Sequence, residues 1–190
     1  IIISNEAPAG NTDITPGSSD VVSTVQNYNS ESEADEEKHS YLSADYISWR
    51  LSNGTSVRIQ ALDANHNDPK GQIYSLGISN IAVNAPIEKS VSKMNGIAAA
   101  YGLENSEATL TLQAQQNVIV NAPITATAGK LNVNLHADTD GDAKGMVIIN
   151  RDITTNGGDF TAGCGETIDA GRVGTYFGHA NDEKDAEGKY

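Results

Sequence analysis

The sequence predicts an all-β chain, folded as a parallel β-helix, or solenoid, with loop insertions. Three observations predict it: a short motif that recurs, strands too short for a sandwich, and a core stock of small and aliphatic residues. The chain has 190 residues with 38% hydrophobic side chains, and among its large aromatics only two Phe and one Trp. That stock suits a thin core of Val, Ile, Leu and Ala. Gly numbers eighteen, and Asn is equally frequent. Both tolerate the positive φ that tight turns between short strands demand.

The motif is NIAVNAPI from Asn80, which returns as NVIVNAPI from Asn117. A third copy follows, where VIVNAPITATAGKLNV from Val118 aligns without gaps on VIINRDITTNGGDFTA from Val147. A preceding half-unit repeats as well, LSNGTSVRIQA from Leu51 resembling LENSEATLTLQA from Leu103. Ala61 and Ala114 stand further apart than the two NAPI motifs do, and the polar stretch 62–77 accounts for the difference as an insertion. Stacked repeats tolerate such insertions because each unit touches only its neighbours.

The repeated segments read as strands. Those around Val57, Leu110, Val118, Leu131 and Val147 are short, rich in β-branched residues and often alternating, each followed by Asn or Gly. The interval from Leu110 to Leu131 marks one expected circuit. The longer interval from Val118 to Val147 is a circuit plus a loop at 138–145. Two stretches read differently. Ala44 to Leu51, followed by Asn53-Gly54, predicts two helical turns with a glycine stop. Val91 to Gly102 fits helix or strand.

The organisation expected is therefore tripartite. Residues 1–40 form an acidic linker or loop, poorly ordered and containing Ser, Gly and Pro, with Val21-Val22-Ser23-Thr24-Val25 able to add one strand. Residues 41–178 form the shaft, and 179–190 an acidic loop or a truncated further unit.

The net charge is −13. It excludes nucleic-acid binding, which needs Lys and Arg to neutralise phosphates, and disfavours adsorption to anionic lipid. Two acidic runs, Glu31 to Glu37 and Asp182 to Glu187, read as solvated loops. No stretch approaches the ~20 apolar residues that span a bilayer, so direct membrane insertion is not expected. One cysteine, Cys164, precludes an intrachain disulfide, and between Gly163 and Gly165 it reads as a small residue at a corner.

The sharpest candidate for site chemistry is Asp138, Asp140 and Asp142, three carboxylates at alternate positions that could supply oxygens to Ca²⁺. An EF-hand would need Gly and Glu where Ala143 and Ile149 stand, so only a looser calcium loop is open. His39, His66, His136 and His179 have no metal-ligand spacing. Asn53-Gly54-Thr55 is a formal glycosylation acceptor that reads as a turn. Arg151, Asp152 and Asp159 are the closest approach to a glycan-cleaving cluster, but nothing repeats it and sugar-stacking aromatics are sparse. The chain is therefore not expected to be an enzyme, and no cofactor other than calcium is expected.

The segment ADYISWRLSNGTSVRIQA from Ala44 resembles the filamentous haemagglutinin-type large exoproteins of Gram-negative bacteria, including leukotoxin-like filamentous adhesins. VIVNAPI from Val118, GKLNV from Gly129, NGGDF from Asn156 and GTYFG from Gly174 carry the resemblance further, over about residues 41–178. It implies a right-handed β-helix shaft, secretion to the cell surface through an outer-membrane partner, and adhesion to a host or bacterial surface receptor or glycan. Any binding is expected on the insertions 62–77, 88–105 and 138–145, because recognition sits on loops of a rigid scaffold.

Overall fold

In a computed structural model of the protein, residues 1–5, 12–14, 40–61, 66–67, 73–74, 79–141, 143, 145–165 and 175–177 are described. The chain is β-rich, and its principal sheets are parallel, in keeping with the all-β class expected.

Three sheets are visited in turn. The chain passes through β7 (Ile81–Val83), β8 (Ile87–Lys89) and β9 (Ala108–Ala114). It then repeats the order as β10 (Val118–Val120), β11 (Ile124–Ala126) and β12 (Leu131–Ala137). A third pass gives β13 (Val147–Ile149), β14 (Ile153–Thr154) and β15 (Phe160–Cys164), and β16 (Thr175–Phe177) follows. Each strand pairs in parallel with its equivalent in the next pass: β7-β10-β13-β16 in the first sheet, β8-β11-β14 in the second, β9-β12-β15 in the third.

The register explains the sequence repeat. Ile81, Val118 and Val147 are in line, as are Val83, Val120 and Ile149, and in the second sheet Ile87, Ile124 and Ile153. Alternate residues of a strand point to opposite faces, so an in-register repeat stacks aliphatic side chains into buried rows. Ile81, Val83, Ile87, Val118, Val120, Ile124 and Val147 have no accessible surface. Each such burial contributes about 1.5–3 kcal/mol. The asparagines of the motif form rows of their own. Asn121 Nδ2 donates to Asn84 Oδ1 at 3.0 Å, and Asn150 Nδ2 donates to Asn121 Oδ1 at 2.8 Å. At the other end of the strand, Asn117 donates to Asn80 Oδ1 from its backbone N–H and its Nδ2, at 2.9 and 2.8 Å.

In the third sheet the spacing differs from expectation. Leu110 pairs with Val133 and not with Leu131, which lies opposite Ala108 instead. The alignment of the third copy also slips there, because Val133 pairs with Phe160 and not with Ala162. The path from Ile153 to Phe160 is shorter than that between their partners Ile124 and Val133, and both slips are from one inward position to the next, so the inward parity is kept. Gly158 makes this turn possible, since a Cβ there would lie 2.2 Å from the Leu131 carbonyl oxygen.

The other end of the molecule begins with β3 (Ser40–Ser43), which runs into α1 (Ala44–Ser52), followed by β4 (Val57–Ala61). The helix expected here forms. Ser43 caps it, its Oγ accepting from the Tyr46 N–H. Asn53 closes it, and Gly54 at φ +76° releases the chain into β4. β4 joins the third sheet beside β9, with Val57, Ile59 and Ala61 in line with Leu110, Leu112 and Ala114. In this pass α1 stands beside β8, where the later passes have a strand. Ile47 and Leu51 face the core and are fully buried.

Within residues 1–40, expected as a linker or loop, two short segments are strands. Ile2–Ser4 form β1, a strand between β7 and β3 in the first sheet, with Ile3 fully buried. Thr12–Ile14 form β2, which pairs with β3. A helix about 10 Å across takes the room of roughly two strands at their ~4.8 Å spacing. β1 supplies the extra strand that the first sheet needs beside α1. Residues 21–25 and 179–190 lie outside the described residues. Within 62–77, the short strands β5 (His66–Asn67) and β6 (Ile73–Tyr74) pair antiparallel. The ambiguous stretch after β8 is mostly helical: a 3₁₀ turn at Val91–Lys93, α2 (Gly96–Ala100) and a second 3₁₀ turn at Leu103–Asn105.

Candidate binding surfaces

The loop after β12 holds the candidate calcium residues. Asp138 is buried and sits at φ +52°. Its N–H donates to the Gln116 carbonyl at 3.0 Å, and its own carbonyl accepts from the Gly141 N–H at 3.0 Å. Its carboxylate Oδ1 accepts from the Ala143 N–H at 2.9 Å. One carboxylate oxygen thus stabilises the turn of its own loop, as aspartate does in many turns. Asp140 is exposed, and Asp142 lies outside the described residues. Among the described residues, no group of three or more His, Cys, Asp or Glu side chains is placed to hold a metal ion.

Arg151, Asp152 and Asp159 are all exposed. Arg151 donates to the neighbouring Asn150 carbonyl at 2.8 Å. Asp152 and Asp159 serve the sheets through their backbones, their carbonyls accepting from the Ile124 and Val133 N–H groups. Cys164 is buried in line with Ala137. His136 is buried too, with Nε2 2.5 Å from the Gly165 carbonyl oxygen.

The insertion after β8 is anchored to the outer face of α1. Asp45, Trp49 and Asn53 follow at one-turn intervals, so they share a face of the helix. Lys93 Nζ donates to Asp45 Oδ1 at 2.7 Å, and the Asn95 N–H donates to Asn53 Oδ1 at 3.1 Å. The bond and the charge of Asp45 raise the Lys93 pKa above its ordinary value. Trp49 lies between these two attachments, 39% exposed, with its ring centroid 5.7 Å from that of Tyr46. Further along, Ile97 of α2 and Tyr101, which closes that helix, are 71% and 80% exposed. The insertion therefore presents apolar and aromatic surface.

Lys89 is the feature that sequence reasoning missed. Its side chain points into the core, in line with Ala126 of β11, and has no accessible surface. Nζ donates to the Ala128 carbonyl at 2.6 Å. Burial pushes its pKa down, because a desolvated ammonium is disfavoured. The parity of Ile87 and Lys89 was the available signal: two residues after a core isoleucine, a lysine takes an inward place.

No helix among the described residues is long and apolar enough to cross a membrane. No protein-family model matches the chain, and no curated protein matches it significantly.

Proposed function

We propose that this chain is a shaft segment of a secreted bacterial surface exoprotein, folded as a right-handed parallel β-helix and serving extension, display and attachment. The observation that supports this most is the in-register parallel pairing of three successive passes through the same three sheets. Parallel crossovers are right-handed in nearly all proteins, which favours the right hand here. The stacked aliphatic rows and asparagine rows stiffen such a shaft, and the insertion after β8 exposes Ile97 and Tyr101, where a receptor or glycan can reach them. Secretion through an outer-membrane partner rests on the resemblance of the segments from Ala44 and Val118 to filamentous haemagglutinin-type exoproteins.

The test is retention of chain-coated beads on a cultured epithelial monolayer under flow. Retention well above that of albumin-coated beads is expected. Equal retention removes the attachment role. A crystal structure tests the fold, with a right-handed rise of about 4.8 Å per circuit expected and antiparallel closure of the sheets sinking it.

A further inference from the structure

We propose that the outer face of α1 is a binding site for a neutral hexopyranose, with Trp49 as its stacking platform. The site deepens the attachment role proposed above by naming the ligand class, and its test separates the two.

A pyranose ring offers two kinds of surface. One face carries C–H groups and is apolar, and the perimeter carries hydroxyls that both donate and accept. A protein site for it needs a flat aromatic face bordered by fixed polar groups. Trp49 supplies the face, exposed and braced by Tyr46 at 5.7 Å. The border is held in place by the fold. Asp45 and Asn53 stand one helical turn before and after Trp49, and Lys93 and Asn95 come from the insertion that is tied to them.

These groups keep hydrogen-bonding capacity. The bond between Lys93 and Asp45 uses one of two carboxylate oxygens and one of three ammonium N–H groups. Asn95 Oδ1 is committed to capping α2, accepting from the Ala98 N–H at 2.7 Å, which leaves the amide nitrogen as a donor. Asn53 is engaged through both its side-chain atoms, with the Trp49 carbonyl and the Asn95 N–H, and serves to position the border.

Charge decides between classes of saccharide. Asp45 and Lys93 pair within the site, and the charge of Glu88 also reaches Lys93, while the chain as a whole carries −13. That negative field repels sulfated or sialylated glycans, and a neutral sugar is not repelled. A single platform on an open helix face predicts weak binding to one sugar unit, in the millimolar range.

Trp49 is the chain's one tryptophan, so fluorescence excited at the red edge, where the seven tyrosines do not absorb, reports on this site alone. The full chain is titrated separately with glucose, galactose, mannose, N-acetylglucosamine and N-acetylneuraminic acid. The expected result is a saturable change in intensity with a blue shift for at least one of the neutral sugars, and none for the acid. Asp45→Ala should weaken the response about tenfold, the effect of one charge-assisted hydrogen bond, with an unchanged far-UV spectrum. No saturable response to any neutral sugar overturns the site, as does an equal response in Asp45→Ala or a stronger response to the acid. If beads hold to the monolayer but no sugar moves the Trp49 signal, the site fails and the attachment role stands. If the signal moves but beads do not hold, the attachment role fails and the site stands.

Discussion

The stacked strands from β7 to β15 and the end of the molecule built on α1 bury similar side chains but are held by different means. Among the strands, one contact is repeated. Val on Val, Ile on Ile and Asn on Asn recur in register from pass to pass. At α1 the bonds are individual. Ser48 Oγ donates to the Ala44 carbonyl and accepts from the Glu88 N–H at 2.9 Å. Ser52 Oγ accepts from the Ser90 N–H at 3.0 Å and donates to the Glu88 carbonyl at 3.3 Å. Two serines one turn apart thus satisfy backbone groups that a neighbouring strand would otherwise pair. An open strand edge invites association, and α1 covers this one with side-chain hydroxyls. The repeated part is stabilised by burial shared over many residues, whereas the α1 end depends on a few polar bonds, each without a substitute.

That contrast can be broken at points of decreasing cost. The largest effect is expected in the stack. Leu112 is fully buried between Ile59 and Leu135, and Leu112→Ala should cost about 2–5 kcal/mol through lost burial and the cavity left behind. Urea denaturation with an unchanged slope would measure it, and a loss under about 1 kcal/mol would mean that the rows repack freely. Gly129→Ala should cost about 2 kcal/mol or more. The residue sits at φ +62°, and its new Cβ would lie 2.2 Å from the Ser106 carbonyl oxygen. The same denaturation reads it.

At the α1 end, Ser48→Ala should cost about 1–3 kcal/mol by stranding the Glu88 N–H. Amide exchange at Glu88 should accelerate ahead of exchange at Thr125, its neighbour in the next strand. Equal rates would show that α1 shields this edge without bonding it. Lys89→Met should act in the opposite direction and raise the melting temperature at pH 7 by a few degrees, on the order of 1 kcal/mol, as a buried cation gives way to an apolar side chain. The pH dependence has a definite sign. Lys89 has a lowered pKa in the folded chain, so the unfolded chain holds more protons, and stability rises with pH between that lowered value and the ordinary lysine range. Lys89→Met should abolish this rise, and melts across the alkaline range would show it.

How much of this was legible follows from the same contrast. Repetition is visible in a sequence, so the NAPI motifs gave the register of the first and second sheets residue by residue. Between β12 and β15 the third sheet slipped because turn length is set by where Gly158 lets the chain approach a neighbouring backbone, and no local pattern states that distance. The helix at Ala44 was legible from its glycine stop. Its consequence for Ile2–Ser4 was not, since the need for an extra strand beside a helix is a property of the assembled sheets. The candidate surface around Trp49 was hidden for a similar reason. Asp45 and Lys93 are far apart in the chain, and only the anchoring of the insertion on α1 joins them.

The cover that α1 places over β8 also gives the molecule a direction. The second sheet runs β8, β11, β14, and its β8 edge is closed by a helix whose hydroxyls occupy the backbone groups at Glu88 and Ser90. A strand cannot be templated there. Any lengthening of this sheet, whether by duplication of a repeat during evolution or by propagation of order during folding, must proceed away from α1. The serines thus act as a terminator, and the polarity of growth is written into two side chains.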